Sequence, residues 1–156
     1  MKKLSSRLQC IYDLLIPGEA LWDIGCDHGL LGMRGLTEAR FSSVNFVEPS
    51  VKAMESLKNS FSKQFSEADT VNFLLQKGED LDWSKVSGNV VIAGMGARTI
   101  VKILEAASVQ PQKRNFILSP NWSQKLLVDY LKDSPVAELS ARDGHRERLI
   151  LRYQMG

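Results

Sequence analysis

Only two cysteines, Cys10 and Cys26, occur in 156 residues, and neither falls into a metal-ligand spacing. That argues against a disulfide framework and against a zinc site, and two reduced, buried thiols fit a cytoplasmic protein. Long apolar runs are missing too: nothing approaches the ~20 residues that a membrane-spanning helix needs. Lys2 and Lys3 open the chain, but Arg7 and Gln9 interrupt the next stretch and no cleavage-like site is present, so no signal peptide is read. An excess of one charge is lacking: 20 Lys and Arg against 18 Asp and Glu leave +2. That balance neither demands nor forbids a nucleic-acid partner and leaves the question to local patches. Repeats, linkers and low-complexity stretches are absent, so one domain is expected over 1–156, with an N-terminal helix (1–16) and a core (20–156). What is there is ordinary for a soluble globular domain: 44% hydrophobic and 24% charged residues, enough for one sizeable core.

The elements alternate. Leu4, Leu8, Ile11, Tyr12 and Leu15 recur on one helical face, and Pro17-Gly18 stops that helix. A strand over 20–24 comes next, then a helix from about Gly29 to Arg40 and a strand over 44–47 closed by Glu48. Val51, Met54, Leu57, Phe61 and Phe65 mark a third helix, and 71–75 a third strand. The stretch 79–87 is weakly patterned. Asn89 to Ala93 is strand four, a helix runs from the next glycines to about Ala107, and 115–118 is strand five. A further helix is expected to turn Trp122, Leu126, Tyr130 and Leu131 inward. After Ser134-Pro135 come strands over 136–141 and 147–153, joined at Asp143-Gly144. Strands separated by helices predict an α/β fold with a mostly parallel seven-stranded sheet and helices on both faces. The last two strands, with only a turn between them, force an antiparallel terminal hairpin. This is the strand inventory of the Rossmann-like methyltransferase fold.

Ligands of such sheets bind beyond the carboxyl ends of the strands, beside strand one. Asp23-Ile24-Gly25-Cys26-Asp27-His28-Gly29 lies there. Gly25 allows a tight turn and close backbone approach to a ligand, and Gly29 close packing of the next helix. A ligand-free strand-to-helix turn would use the same glycines. In a dinucleotide site the glycines surround a pyrophosphate, but here Asp27 replaces the central one. Two like charges about 4 Å apart repel by about 4 kcal/mol at an effective dielectric of about 20. S-adenosylmethionine has no phosphate and carries a sulfonium cation, so the acidic loop favours it over NAD. Glu48, at the end of strand two, stands where an acid accepts hydrogen bonds from ribose hydroxyls, although a glutamate beside a helix start is also favoured by the dipole. Glu79-Asp80 falls where a carboxylate can read the adenine amino group, and two adjacent solvated acids fit equally well.

In order along the chain, Leu4-Ser5-Ser6-Arg7-Leu8, the Asp23–Gly29 loop with Leu30-Leu31, Ile92-Ala93-Gly94-Met95-Gly96-Ala97, Ser119-Pro120-Asn121 and Asp143-Gly144 resemble the bacterial tRNA adenine-22 N1-methyltransferases. The resemblance spans nearly the whole chain and implies S-adenosylmethionine as cofactor and N1 of a tRNA adenine as methyl acceptor. It departs at Leu31-Gly32, where the family has Leu-Pro. It departs more seriously at Gly156, where the chain stops before the family's C-terminal helical extension that helps hold tRNA. The cofactor residues are then expected to be Asp23, Gly25, Asp27, Gly29, Glu48, Glu79, Asp80, Ala93 and Gly94.

Methylating adenine N1 makes a cation, so the chemistry needs alignment and charge stabilisation more than activation. Asp27 is the candidate catalytic carboxylate, as a stabiliser of that charge or as acceptor of a proton from the exocyclic amine. His28 is read as a substrate contact or a helix cap. Met95 and Gly96, after strand four, are expected at the target base, and Asn121 at a base edge or ribose. Ser119-Pro120-Asn121-Trp122 resembles the motif of base-amine methyltransferases only loosely, because Asn121 breaks its proline pair; Trp122 is read as core. Arg7 is the basic residue most expected on RNA. Arg146, Arg148 and Arg152 alternate onto one face of the last strand as a phosphate-contacting strip or as edge protection. Three functions are compatible with these residues: methyl transfer to a tRNA adenine, the same fold acting on another RNA, a DNA or a small molecule, and a non-catalytic S-adenosylmethionine- or RNA-binding module. No membrane or metal partner is expected. The oligomeric state is left open, with a monomer compatible.

Overall fold

The computed structural model describes residues 2–134 and 136–155. Pro135, expected as the stop before the hairpin, and Gly156 lie outside the described residues. Among these residues, seven strands form one sheet in the order β3-β2-β1-β4-β5-β7-β6. They are β1 (Leu21–Ile24), β2 (Val44–Val47), β3 (Val71–Leu74), β4 (Gly88–Ala93), β5 (Arg114–Ser119), β6 (Val136–Asp143) and β7 (Arg146–Met155). The first five are parallel, and β7 runs antiparallel to both β5 and β6. The α/β expectation with a terminal hairpin is borne out.

Among the described residues, five α-helices cover the sheet: α1 (Ser6–Asp13), α2 (Leu30–Thr37), α3 (Val51–Gln64), α4 (Ala97–Ser108) and α5 (Gln124–Tyr130). Ser5 caps α1 by accepting the Leu8 N–H, and Ser50 caps α3 by accepting the Ala53 N–H. Period-two alternation divides the strands between two cores. Leu21, Phe46, Val91, Ile117 and Ile150 pack with α1, α2 and α3. Ile24, Val90, Ile92, Phe116 and Leu118 pack with α4 and α5. The weakly patterned stretch after β3 holds two short 3-10 turns, Gly78–Asp80 and Trp83–Lys85, with Trp83 buried.

One expected face is corrected. Leu131, the C-cap of α5, is buried as expected, but within α5 Leu127 takes the inward place, and Trp122, Leu126 and Tyr130 are exposed at 62%, 36% and 42%. The two stripes share the helical spacing, and α4 takes the one containing Leu127. The arginine strip is also corrected: Arg148 donates to the Asn121 carbonyl and Arg152 to Asn115 Oδ1, so two of its three members serve the fold. No helix among the described residues is long and apolar enough to cross a membrane.

At the amino edge, Arg114 is 1% exposed and donates to the carbonyls of Val86 (2.7 Å), Ala107 (3.2 Å) and Trp83 (2.6 Å). Arg114→Met fills the stem and removes the cost of a desolvated cation but strands three acceptors. A net loss of about 2 kcal/mol is expected, as a lower urea midpoint at unchanged slope.

Candidate active site

The strand order reverses at β1 and β4, neighbours that pair in register from Leu21↔Asn89 to Ile24↔Ile92. Neighbouring strands whose onward connections run in opposite directions leave a crevice at their carboxyl ends. Two cavities open there. One, of about 260 Å³, lies on the α1 and α2 side and includes Arg7, Asp23, His28 and Asp143 in its wall. The other, of about 630 Å³, lies on the α4 side and includes Glu48, Lys77, Glu79 and Met95. Gly25, Asp27, Ala93 and Gly94 line both, so the loops after β1 and β4 form the common wall.

The loop after β1 is held tightly. Gly25 has φ +69°, and its N–H donates to the Val47 carbonyl at 2.8 Å. A Cβ there would run into the Met95 methyl, so the thioether packs on the bare glycine. Gly29, with φ +65°, caps α2, and a Cβ on it would strike Leu57 and Phe46. Asp27 also adopts left-handed backbone, φ +49°, which Asp tolerates better than most residues. Its N–H donates to Glu48 Oε2 at 3.0 Å, and Glu48 Oε1 accepts the Ser50 N–H at 3.0 Å. The Glu48 carboxylate thus joins the β1 loop to the start of α3, and each of its oxygens keeps a lone pair for a ligand. Asp27, Glu48 and Glu79 outnumber Lys77 in the larger cavity, a wall that repels phosphate and suits a cation with a ribose diol.

A model of the methyltransferase domain matches residues 4–136. The chain belongs to the methyltransferase-domain family. No curated protein matches it. Solved structures similar to it include the Bacillus subtilis M1A22 tRNA methyltransferase TrmK, with TM-score 0.88, 23% identity, and coverage of 99% of this chain and 67% of that one. Sp1610 of Streptococcus pneumoniae, in complex with S-adenosyl-L-methionine, has TM-score 0.86 and 24% identity over 99% of this chain and 74% of that one. TrmK of M. capricolum, in complex with S-adenosyl-homocysteine, has TM-score 0.83 and 20% identity over 98% and 69%. At these identities the likeness establishes the Rossmann-like methyltransferase fold.

Within this methyltransferase domain not every residue singled out from sequence reaches the cavities, and Gly29, the cap of α2, lines neither. Asp23, Gly25, Asp27, His28, Glu48, Glu79, Ala93, Gly94 and Met95 all line one cavity or the other. Asp80 is exposed and lines neither, and His28 does not cap α2, whose cap is Gly29. His28 instead stands 67% exposed, with Nε2 3.5 Å from Asp27 Oδ2. Gly96 and Asn121 sit behind the wall. Gly96 is buried beneath the Trp122 indole, and Asn121 donates from Nδ2 to the Gly94 carbonyl at 2.8 Å while its N–H donates to the Met95 carbonyl at 2.9 Å. Asn121 therefore sets the path of the loop after β4. Arg7 lines the smaller cavity but spends its N–H groups inside the protein. They go to Ser119 Oγ (3.0 Å), the Ser119 carbonyl (2.6 Å), Asn121 Oδ1 (2.9 Å) and Asp143 Oδ2 (3.4 Å). Asp143 is a wall residue that the sequence marks only as part of the hairpin turn and of the family resemblance, with no site role.

Burial shifts the Arg7 guanidinium down, and two other groups in the wall are shifted up. Burial pushes the Cys26 thiol well above its ordinary range, helped by Asp23 and Glu48, which makes it a poor nucleophile. Burial also pushes the Asp23 carboxyl up to about 7; the Gly32 N–H pulls the other way and Glu48 adds to the rise. The folded protein therefore holds this proton more tightly than the unfolded chain, whose carboxyl titrates near 3.8. The associated stability is complete below that value and is lost as the pH rises through about 7. Asp23→Asn, neutral throughout, is expected to gain melting temperature relative to wild type between pH 4 and pH 8, the difference opening with pH. Parallel curves across that window would refute the shift.

Proposed function

We propose that the chain transfers a methyl group from S-adenosylmethionine to N1 of an adenine in tRNA. The observation that carries this is the acidic loop Asp23–Gly29 locked to Glu48 at the junction of two cavities, one walled for a cationic nucleoside and one open beside it for an acceptor base. The order of sequence motifs, the family model and the likeness to a tRNA M1A22 methyltransferase over 99% of the chain support the same choice.

S-adenosylmethionine supplies the electrophilic methyl carbon when bound. Glu48 is suited to hold its ribose diol, Glu79 lies along the same wall, and Gly25 and Gly94 give the backbone room to approach it. The acceptor base enters the smaller cavity. Its N1 lone pair forms the new bond to carbon, the carbon–sulfur electron pair returns to sulfur, and the base becomes a cation. Asp27, exposed in the shared wall, supplies a fixed negative charge for that cation, and His28 at 3.5 Å steadies its carboxylate. Asn121 keeps the Gly94 and Met95 backbone at the edge where base and methyl meet.

Bulk tRNA incubated with the protein and methyl-labelled cofactor, then digested to nucleosides, tests the proposal. Label in N1-methyladenosine is expected. Label in any other nucleoside moves the substrate to a different acceptor on the same fold, and absence of label from tRNA overturns the tRNA reading.

A further inference from the structure

Asp143 lies in the wall of the smaller cavity and has no part in the methyl transfer just described. It ends β6, and the hairpin carries it to the carboxyl edge of the sheet, where the loops after β1 and β4 also lie. Its two oxygens are treated differently. Oδ2 stands 3.4 Å from Arg7 Nη1 and 3.7 Å from Arg148 Nε, while Oδ1 makes no hydrogen bond among the described residues. Both cations are themselves fixed. The Arg7 and Arg148 side chains are 8% and 14% exposed, Arg7 is tied to Ser119 and Asn121, and Arg148 Nη1 donates to the Asn121 carbonyl at 2.6 Å.

A turn aspartate ordinarily spends its oxygens on backbone N–H groups of its own turn. Here one oxygen accepts from Arg7 at 3.4 Å with Arg148 in ion-pair range, while the other makes no hydrogen bond among the described residues, and the residue lines the cavity. The Asp143 side chain itself is 37% exposed, and ion pairs open to solvent on one side contribute little to stability. What the arrangement does provide is a carboxylate oxygen held at a fixed point in the acceptor cavity.

We infer that Asp143 is the specificity-determining residue for the acceptor base, its free oxygen accepting a hydrogen bond from the exocyclic amino group next to the methylated ring nitrogen. The inference rests on the reading that the acceptor is an adenine. A carboxylate can only accept, so a 6-amino purine is matched, whereas a 6-oxo purine sets acceptor against acceptor. As N1 takes the methyl group, positive charge spreads onto the amine, and its hydrogen bond to a carboxylate strengthens. An interaction that grows toward the transition state raises kcat rather than merely lowering KM. Arg7 is then a positioning residue acting through Asp143, which explains a buried arginine in a cavity wall.

The test compares wild type and Asp143→Asn on RNA carrying adenine, or purine without the amino group, at the position wild type methylates. Asp143→Asn is expected to lower kcat/KM about 30-fold on adenine, the loss of one charge-assisted hydrogen bond, but less than about threefold on purine. Cofactor affinity and melting temperature are expected to stay near wild type. Arg7→Lys, which cannot reach Ser119, Asn121 and Asp143 together, is expected to shrink the adenine-to-purine ratio in the same direction. Equal losses on both bases would show a structural role and overturn the inference while the function stands. A loss of cofactor affinity would make Asp143 a cofactor ligand and also overturn it. Wild type that methylates no adenine at all sinks the functional reading itself.

Discussion

Asp27→Asn is expected to lower kcat by about a thousandfold while the dissociation constant for S-adenosylmethionine stays within about tenfold, a loss within the ~10²–10⁴ range of a positioned carboxylate. Asparagine is the informative replacement because it tolerates the left-handed backbone of this position, φ +49°, as aspartate does. It also leaves the backbone N–H that donates to Glu48 Oε2, so the loop keeps its anchor and only the charge is removed. In the free protein the carboxylate is 67% exposed and well screened. An acceptor base filling the smaller cavity displaces that water, and the same charge then acts through a lower dielectric on the cation being formed. Its contribution is therefore expected in kcat. Single-turnover rates with titrated cofactor check this. Unchanged kcat would remove Asp27 from the chemistry, and a collapse of cofactor affinity would make it a binding residue.

Glu48→Ala is expected to act in the opposite way, raising the cofactor dissociation constant about a hundredfold. Glu48 is 8% exposed, and its two oxygens accept the Asp27 and Ser50 N–H groups at 3.0 Å each. Truncation removes the acceptor proposed for the ribose diol and frees the loop that carries Asp27, and hydrogen bonds to a charged group are worth about 1.5–3 kcal/mol. Glu48→Gln is expected to fall between, because its amide can accept one of the two backbone N–H groups but must present a donor to the other. Rate at saturating cofactor should recover much of its value in both variants. A dissociation constant within about threefold of wild type for Glu48→Ala would show that the ribose is held elsewhere.

The strands and the terminal hairpin were legible because each short apolar run is bounded by glycine, proline or a polar cluster, and because Asp143-Gly144 leaves room for nothing but a turn. The loop after β1 was legible for the same reason, with Asp27 as the informative substitution in a glycine pattern. The inward face of α5 was not. Trp122, Leu126 and Tyr130 recur at one helical spacing, and Leu127 recurs with Leu131, the one residue rightly expected inward, at the same spacing one position on, so period alone has no means of choosing between them. Contact with α4 makes the choice. Arg7 was visible as a residue of interest, but a sequence does not say whether an arginine points at solvent or spans to Ser119, Asn121 and Asp143, which are more than a hundred positions away. Asp143 was visible as part of the hairpin motif, but its place in the cavity wall was hidden by its turn. The signal that could have found it was its place at the end of a strand beside a turn, on the edge of the sheet where ligands bind.

Calorimetric titration of the protein with S-adenosylmethionine and, separately, with NAD tests the central claim most directly. The acidic loop and Glu48 predict saturable one-to-one binding of S-adenosylmethionine and no binding of NAD. Binding of NAD, or no saturable binding of S-adenosylmethionine, would contradict the account at its base.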